Sequence, residues 1–288
     1  MISRRSILAC SALASHSWGQ EAVALAPEKI SKIEMILLAE ISRRQIPGLT
    51  IAIANRERLL WEKAYGFADL ENNSPTKEAS RFRTASLMKP VTAVAVLQLV
   101  ERGKIKLDAE VREYVTSFPA KQWPVTVRQL LGHLGGIRHY DNSRGEMSAT
   151  RHYNDVATAL EIFTKDPLVH PPGTKYLYTT YGYNLLGAAV QEVADVPYAD
   201  YVRNNILAPA RMSNTVPDDH FLIIPNRVRG YLRTSDNRVV NAALADTSNK
   251  LPGGGYVSTA GDMVRFGLAF RQTKLTKRET VDLMLRQM

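Results

Sequence analysis

The sequence predicts an α+β fold on three observations: a pair of strand-like runs early in the chain, a mostly helical middle built on one run too apolar for any place but the core, and further strands behind it. At 288 residues, 45% hydrophobic and 23% charged, the chain has an ordinary globular balance and enough apolar side chains for a core. No internal repeat or low-complexity linker divides it.

The first stretch, "MISRRSILACSALASHSWGQEAVAL", carries Arg4 and Arg5, a short weakly apolar run, then small residues. That is the shape of an export signal, and "SRRSIL" is close to a twin-arginine signal. We therefore expect residues 1–19 to be a signal peptide, removed after Gly19 or Ala14, and the rest of the chain to be exported, periplasmic or secreted. Cys10 is the only cysteine. A processed chain would hold none, which excludes disulfides, a cysteine nucleophile and thiolate metal sites. No later stretch reaches the roughly 18 uninterrupted apolar residues of a membrane span, so no stable membrane insertion is expected.

Residues 28–44 read as an amphipathic helix, with Ile30, Ile33, Ile36, Leu37, Leu38 and Ile41 near helical spacing. After Pro47-Gly48, "LTIAIANRERLLWEKAYGFADL" reads as two strands joined by a polar turn. The apolar run "RFRTASLMKPVTAVAVLQLVERGK" follows as a helix buried on all sides, opened by Ser86 and closed by Gly103. From about 106 to 225 the pattern is mostly helical, with loops at Pro124, "GHLGGI" and "HPPGTKY". Residues 227–241 form a second hairpin turning at Asp236-Asn237, and "LPGGGYVSTAGDMVRFGLAF" is a glycine-rich loop entering a helix that Ser258 or Thr259 caps. The net charge of +9 comes from scattered Lys and Arg with no basic cluster interleaved with aromatics. It reads as a solvated face, and nucleic acid is not an expected partner.

The chemistry starts at Ser86 and Lys89, three residues apart and so on one face of a helix. Ser-x-x-Lys alone is weak evidence, because the pair should arise roughly once by chance in a chain of this length. Ser74 and Lys77 match it too. Pro75 and polar neighbours put Ser74 on a surface turn, whereas Ser86 opens the buried helix. A serine hydroxyl is activated when a neighbouring base takes its proton, and a lysine can be that base only as a neutral amine. Burial and the positive end of the helix dipole both favour the neutral form. The same two residues would also serve as a helix cap and a snorkelling lysine. Tyr178 and Thr180 precede a helix expected to begin near Tyr181 and project to one side of an extended segment. A phenol beside an ammonium can exchange protons, which makes Tyr178 a candidate acid or base, as are Tyr176, Tyr181 and Tyr183 on this ground alone. Six scattered histidines show no second ligand at metal spacing. His133 is read as structural, and no metal or cofactor is expected.

Five segments in order, "IPGLTIAIANRERLLWEKAYGFADLENN", "RFRTASLMKPVTAVAVLQLVERGKIKLDAEV", "VTVRQLLGHLGGI", "PPGTKYLYTTYGYNLLG" and "GGGYVSTAGDMVRFG", make residues 28–270 resemble the serine β-lactamase-related family of class C β-lactamases, D-Ala-D-Ala carboxypeptidases and esterases. The resemblance implies the β-lactamase/transpeptidase-like fold, an antiparallel sheet flanked by helices with a helical subdomain. It implies Ser86 as the acylated nucleophile, Lys89 as its partner, Tyr178 as the tyrosine of a Tyr-x-Asn motif and Thr180 as a substrate-binding residue in place of the usual asparagine. It also implies a small-molecule or peptide substrate, an ester, peptide or β-lactam carbonyl. "GHLGG" stands where "THTSG" is usual, keeping His133 and Gly136. The family's third element, Lys-Thr-Gly or His-Thr-Gly with its oxyanion-hole amide, is not found before "TVDLMLRQM". Loss of one oxyanion donor costs about 100- to 1000-fold in rate. The expectation is therefore a serine hydrolase domain over 28–288, truncated at its C-terminus, with a non-catalytic acyl- or peptide-binding protein of the same fold as the alternative.

Overall fold

The computed structural model describes residues 25–286. The expected signal peptide at 1–19 lies outside the described residues. Helix α1 (Pro27–Arg44) leads through Pro47 into strands β1 (Gly48–Ala54) and β2 (Leu59–Asp69), which pair antiparallel across a polar turn. Strand β3 (Ser74–Pro75) adds to β2, and β4 (Phe82–Arg83) precedes the 3-10 turn Ala85–Met88 and helix α2 (Lys89–Glu101). Then come α3 (Val127–Leu131), α4 (Thr180–Ala194), α5 (Tyr198–Val202), β5 (Val216–Pro217), the hairpin β6 (Tyr231–Arg233) and β7 (Val239–Asn241), α6 (Leu251–Gly254), β8 (Tyr256–Ser258), α7 (Ala260–Arg271) and α8 (Arg278–Leu285). The α+β class holds, with the named strands of the described residues paired antiparallel in small sheets ordered β1-β2-β3, β4-β8-β5 and β6-β7.

The core is the contact between α2 and α4. Ten of the residues of α2 are buried, including Lys89, Val91, Val94, Val96 and Leu99, and α4 buries Tyr181, Leu185, Leu186 and Val190 against them. Each of the aliphatic side chains among them contributes about 1.5–3 kcal/mol by leaving water. Thr179 caps α4, its hydroxyl accepting from the Tyr181 and Gly182 amides. Gly103 follows α2 at φ +68° and its amide reaches Val100 O, a left-handed helix stop.

Two expectations change. Within the stretch 106–225 expected to be mostly helical, 106–126 and 132–179 are not: they hold only the short 3-10 turns Val111–Glu113, Asn142–Arg144, Glu146–Ser148 and Thr158–Ile162. Side chains take the carbonyls a helix would have used, Arg138 binding His139 O and Ile162 O, Lys121 binding Thr164 O and Asp166 O, and Thr179 binding Arg138 O. The glycine-rich tract is not a loop but the helical turn α6 followed by β8, and Thr259 rather than Ser258 caps α7 through the Asp262 amide. No helix among the described residues is long and apolar enough to cross a membrane.

Candidate active site

Ser86 does not open α2 directly. It stands in the 3-10 turn before it, exposed at the surface, while Lys89 is the first residue of the helix and 4% exposed. The turn is entered through Ala85 at φ +45°, a left-handed conformation that costs a residue with a Cβ about 1–3 kcal/mol. Strand β8 steadies that entry: Thr84 donates from its amide and its hydroxyl to Tyr256 O, both at 2.9 Å.

Lys89 Nζ has three oxygens around it, Gly253 O at 2.9 Å and Ser86 Oγ and Thr180 Oγ1 each at 3.2 Å. It also lies 4.7 Å from the centre of the Tyr178 ring. Desolvation lowers its pKa from the ordinary lysine value, and the hydrogen bond and charge interaction with Tyr178 pull part of the way back. A neutral amine has two N–H donors and one lone pair. In that form, donation to Gly253 O and Thr180 Oγ1 would use both N–H groups and leave the lone pair for the Ser86 hydroxyl. On the other side of Ser86, the Tyr178 hydroxyl donates to Oγ at 2.6 Å.

Two histidines hold the segment that carries Tyr178. His133 Nδ1 accepts the Thr179 amide at 3.3 Å and His139 Nδ1 accepts the Thr180 amide at 3.2 Å, which assigns the remaining proton of each neutral ring to Nε2. Their rings lie 4.6 Å and 5.6 Å from that of Tyr178. Burial, then Lys89, then His139 push His133 down to about 4, and burial followed by Lys89 also lowers His139. Both rings are thus acceptors at neutral pH. His133 has the structural place expected of it.

Of the four residues picked from sequence, Ser86, Lys89 and Tyr178 meet at hydrogen-bond distance. Thr180 meets them differently: it is the first residue of α4, not part of the preceding loop, and it is 3% exposed with its hydroxyl on Lys89. Sequence reasoning missed the Gly253 carbonyl and His139. The glycine tract was the available signal. A Cβ on Gly253 would collide with Thr180 Cγ2, and one on Gly254 would lie 2.7 Å from Ala85 C and O, so α6 can reach Lys89 only without side chains there.

The Beta-lactamase family model matches residues 25–288. Among curated proteins, the Serine beta-lactamase-like protein LACTB, mitochondrial, of Homo sapiens is 30% identical over 290 residues, covering 77% of this chain and 53% of that protein. The chain spans about half the length of the curated relatives it matches. Among solved structures, D-amino acid amidase from Ochrobactrum anthropi SV3 is 25% identical with a TM-score of 0.77, covering 88% of this chain and 72% of that one. EstCE1, described as a hydrolase with promiscuous acyltransferase activity, shares the fold at 20% identity and a TM-score of 0.75, covering 88% of this chain and 76% of that one.

Proposed function

The chain belongs to the Beta-lactamase family, and from that premise we propose that it is a serine hydrolase working through an acyl-enzyme on an ester, peptide or β-lactam carbonyl. One observation carries the reading: a desolvated lysine amine 3.2 Å from Ser86 Oγ, with the Tyr178 hydroxyl 2.6 Å from the same oxygen. Ser86 Oγ attacks the carbonyl carbon while its proton passes to Lys89 Nζ. The Ser86 backbone N–H, at the mouth of α2, supplies an oxyanion donor. As the tetrahedral intermediate collapses, the Tyr178 hydroxyl gives its proton to the departing nitrogen or oxygen and recovers one from the Lys89 ammonium. Water then attacks the acyl carbon, its proton entering the same pair, and Ser86 leaves as the alcohol. Thr180 and Gly253 O act here by positioning the amine.

An amide substrate is supported by the likeness to D-amino acid amidase. A binding protein without turnover would have no use for three converging proton-transfer groups. The test is labelling with a fluorescent fluorophosphonate and a fluorescent penicillin, followed by peptide mapping. We expect a mass increment on Ser86 that disappears in Ser86→Ala. Absence of labelling in the wild-type protein by every probe class would overturn the proposal. Export is part of the same proposal, and an intact residue 1–19 segment on protein recovered from the cells that make it would reject it.

A further inference from the structure

Outside the catalytic cluster, three segments bring together residues that sequence spacing had kept apart: His152, His220 and Asp246. His152 Nδ1 lies 2.7 Å and His220 Nδ1 2.9 Å from one and the same oxygen, Asp246 Oδ2. The Asp246 side chain is 1% exposed, so this carboxylate faces the two imidazoles and not water. We propose that these three residues form a binding site for a divalent transition-metal ion of the zinc class.

The chemistry of the donors selects the ion. Two imidazole nitrogens and one carboxylate oxygen suit zinc and its first-row neighbours, whereas calcium and magnesium take oxygen ligands. The ligand atoms already lie within 4.8 Å of one another. Ligands of a tetrahedral zinc ion with bonds near 2.0–2.1 Å stand about 3.3 Å apart, so the imidazole nitrogens would move out from Asp246 Oδ2 by roughly half an ångström. The surroundings hold the ligands in place as a metal site requires. Asp246 Oδ1 accepts the Ser248 amide at 2.7 Å, which fixes the carboxylate, and the Asp246 amide donates to Ala149 O at 2.9 Å. The Phe221 ring packs against both imidazoles, 4.9 Å from His152 and 4.4 Å from His220. His220 and Asp246 also line a cavity of about 1090 Å³, which gives an ion an entry path and room for a water as fourth ligand. The nearby Arg83 guanidinium is paired with Asp218 at 2.7 Å and binds Ala245 O.

The ion would clasp three separate loops, the last of which runs on to the Gly253 carbonyl at Lys89. Beyond Asp246 the chain is stitched to residues 146–153, with Ser248 Oγ accepting the Tyr153 amide and Lys250 Nζ donating to Met147 O, before it delivers Gly253 O to Lys89. The role is structural, and it stands apart from the proposed hydrolysis because its readout is binding.

The experiment uses the tag-free full chain, stripped with a chelator and titrated with Zn²⁺ by calorimetry. We expect one ion per chain, a rise in melting temperature with Zn²⁺, and visible d–d bands of four- or five-coordinate Co²⁺ when cobalt replaces zinc. His220→Ala, at a ring 39% exposed, and His152→Ala should each weaken Zn²⁺ binding by more than about 100-fold and remove the cobalt bands. Circular dichroism checks that the variants are folded, and His220→Gln serves if His220→Ala is not. Failure of the wild-type chain to bind, or equal binding by wild type and variants, would overturn the proposal. Equal binding would place the ion elsewhere, for instance on Cys10 or His16.

Discussion

Ser74-Pro-Thr-Lys77 and Ser86-Leu-Met-Lys89 have the same spacing twelve positions apart, yet only the second brings its amine and hydroxyl within hydrogen-bond distance. Ser74 lies in β3, paired with Asp69 of β2, and both it and Lys77 are exposed. Residues i and i+3 of an extended segment point to opposite faces, so this serine and lysine have no common site. Ser86 and Lys89 span a tight helical turn instead, with the lysine sealed under α4 and α6. Spacing therefore does not tell the two pairs apart, and burial of the amine does.

The sharpest way to break this contrast is at the serines. Ser86→Ala should abolish covalent labelling and turnover, while Ser74→Ala leaves both intact, read by active-site labelling. The lysines come next: Lys89→Met should slow acylation by about 10²- to 10⁴-fold, the span of general-base catalysis, with Lys77→Met unchanged. The pH profile sharpens this step. Because the neutral amine is the reactive form, acylation should rise with pH, and because desolvation lowers the Lys89 pKa, the midpoint should fall below the ordinary lysine value of 10.5. A midpoint at or above 10.5 would mean that burial does not prime the Lys89 amine.

Tyr178→Phe should follow, at about 100-fold in kcat, because it deletes the proton donor on Ser86 Oγ. Tyr176→Phe, at a ring 66% exposed, is the matching control and should do nothing. The smallest rate effect is expected of Thr180→Val, which removes one hydrogen bond from Lys89, about 1 kcal/mol or several-fold in rate. Acid stability tests the histidine support. His133 titrates at about 4 in the folded chain against an ordinary 6.5, so the unfolded chain binds the extra proton first. Its contribution is fully present above pH 6.5 and lost as pH falls through about 4, and the urea midpoint should drop over that window. His133→Asn should flatten part of that drop.

Much of this was legible before any coordinates. The run 91–99, apolar apart from Thr92 and Gln98, places α2 in the core without help, the β1-β2 and β6-β7 hairpins follow from their alternation and turn residues, and Ser86 and Lys89 follow from a polar pair set where no polar pair is needed. The stretch 132–179 was misjudged because its apolar residues are spaced helically while its carbonyls are satisfied by Arg138 and Lys121 from outside any helix. Thr180 was placed on the wrong side of a helix start, since Thr179 and Thr180 are equal as caps until one of them turns inward.

What the sequence determined alone is therefore local: periodicity and composition set which segments bury their faces, because the free energy of leaving water depends on the side chains themselves. Tertiary structure decided everything that depends on who stands beside whom. The place of the Lys89 amine is set by Gly253 O and Thr180 Oγ1, some 164 and 91 positions away, which accept its hydrogen bonds where the side chain is buried. His152, His220 and Asp246 face one another for the same reason. Distances between remote segments are fixed by packing, and no pattern along the chain encodes them.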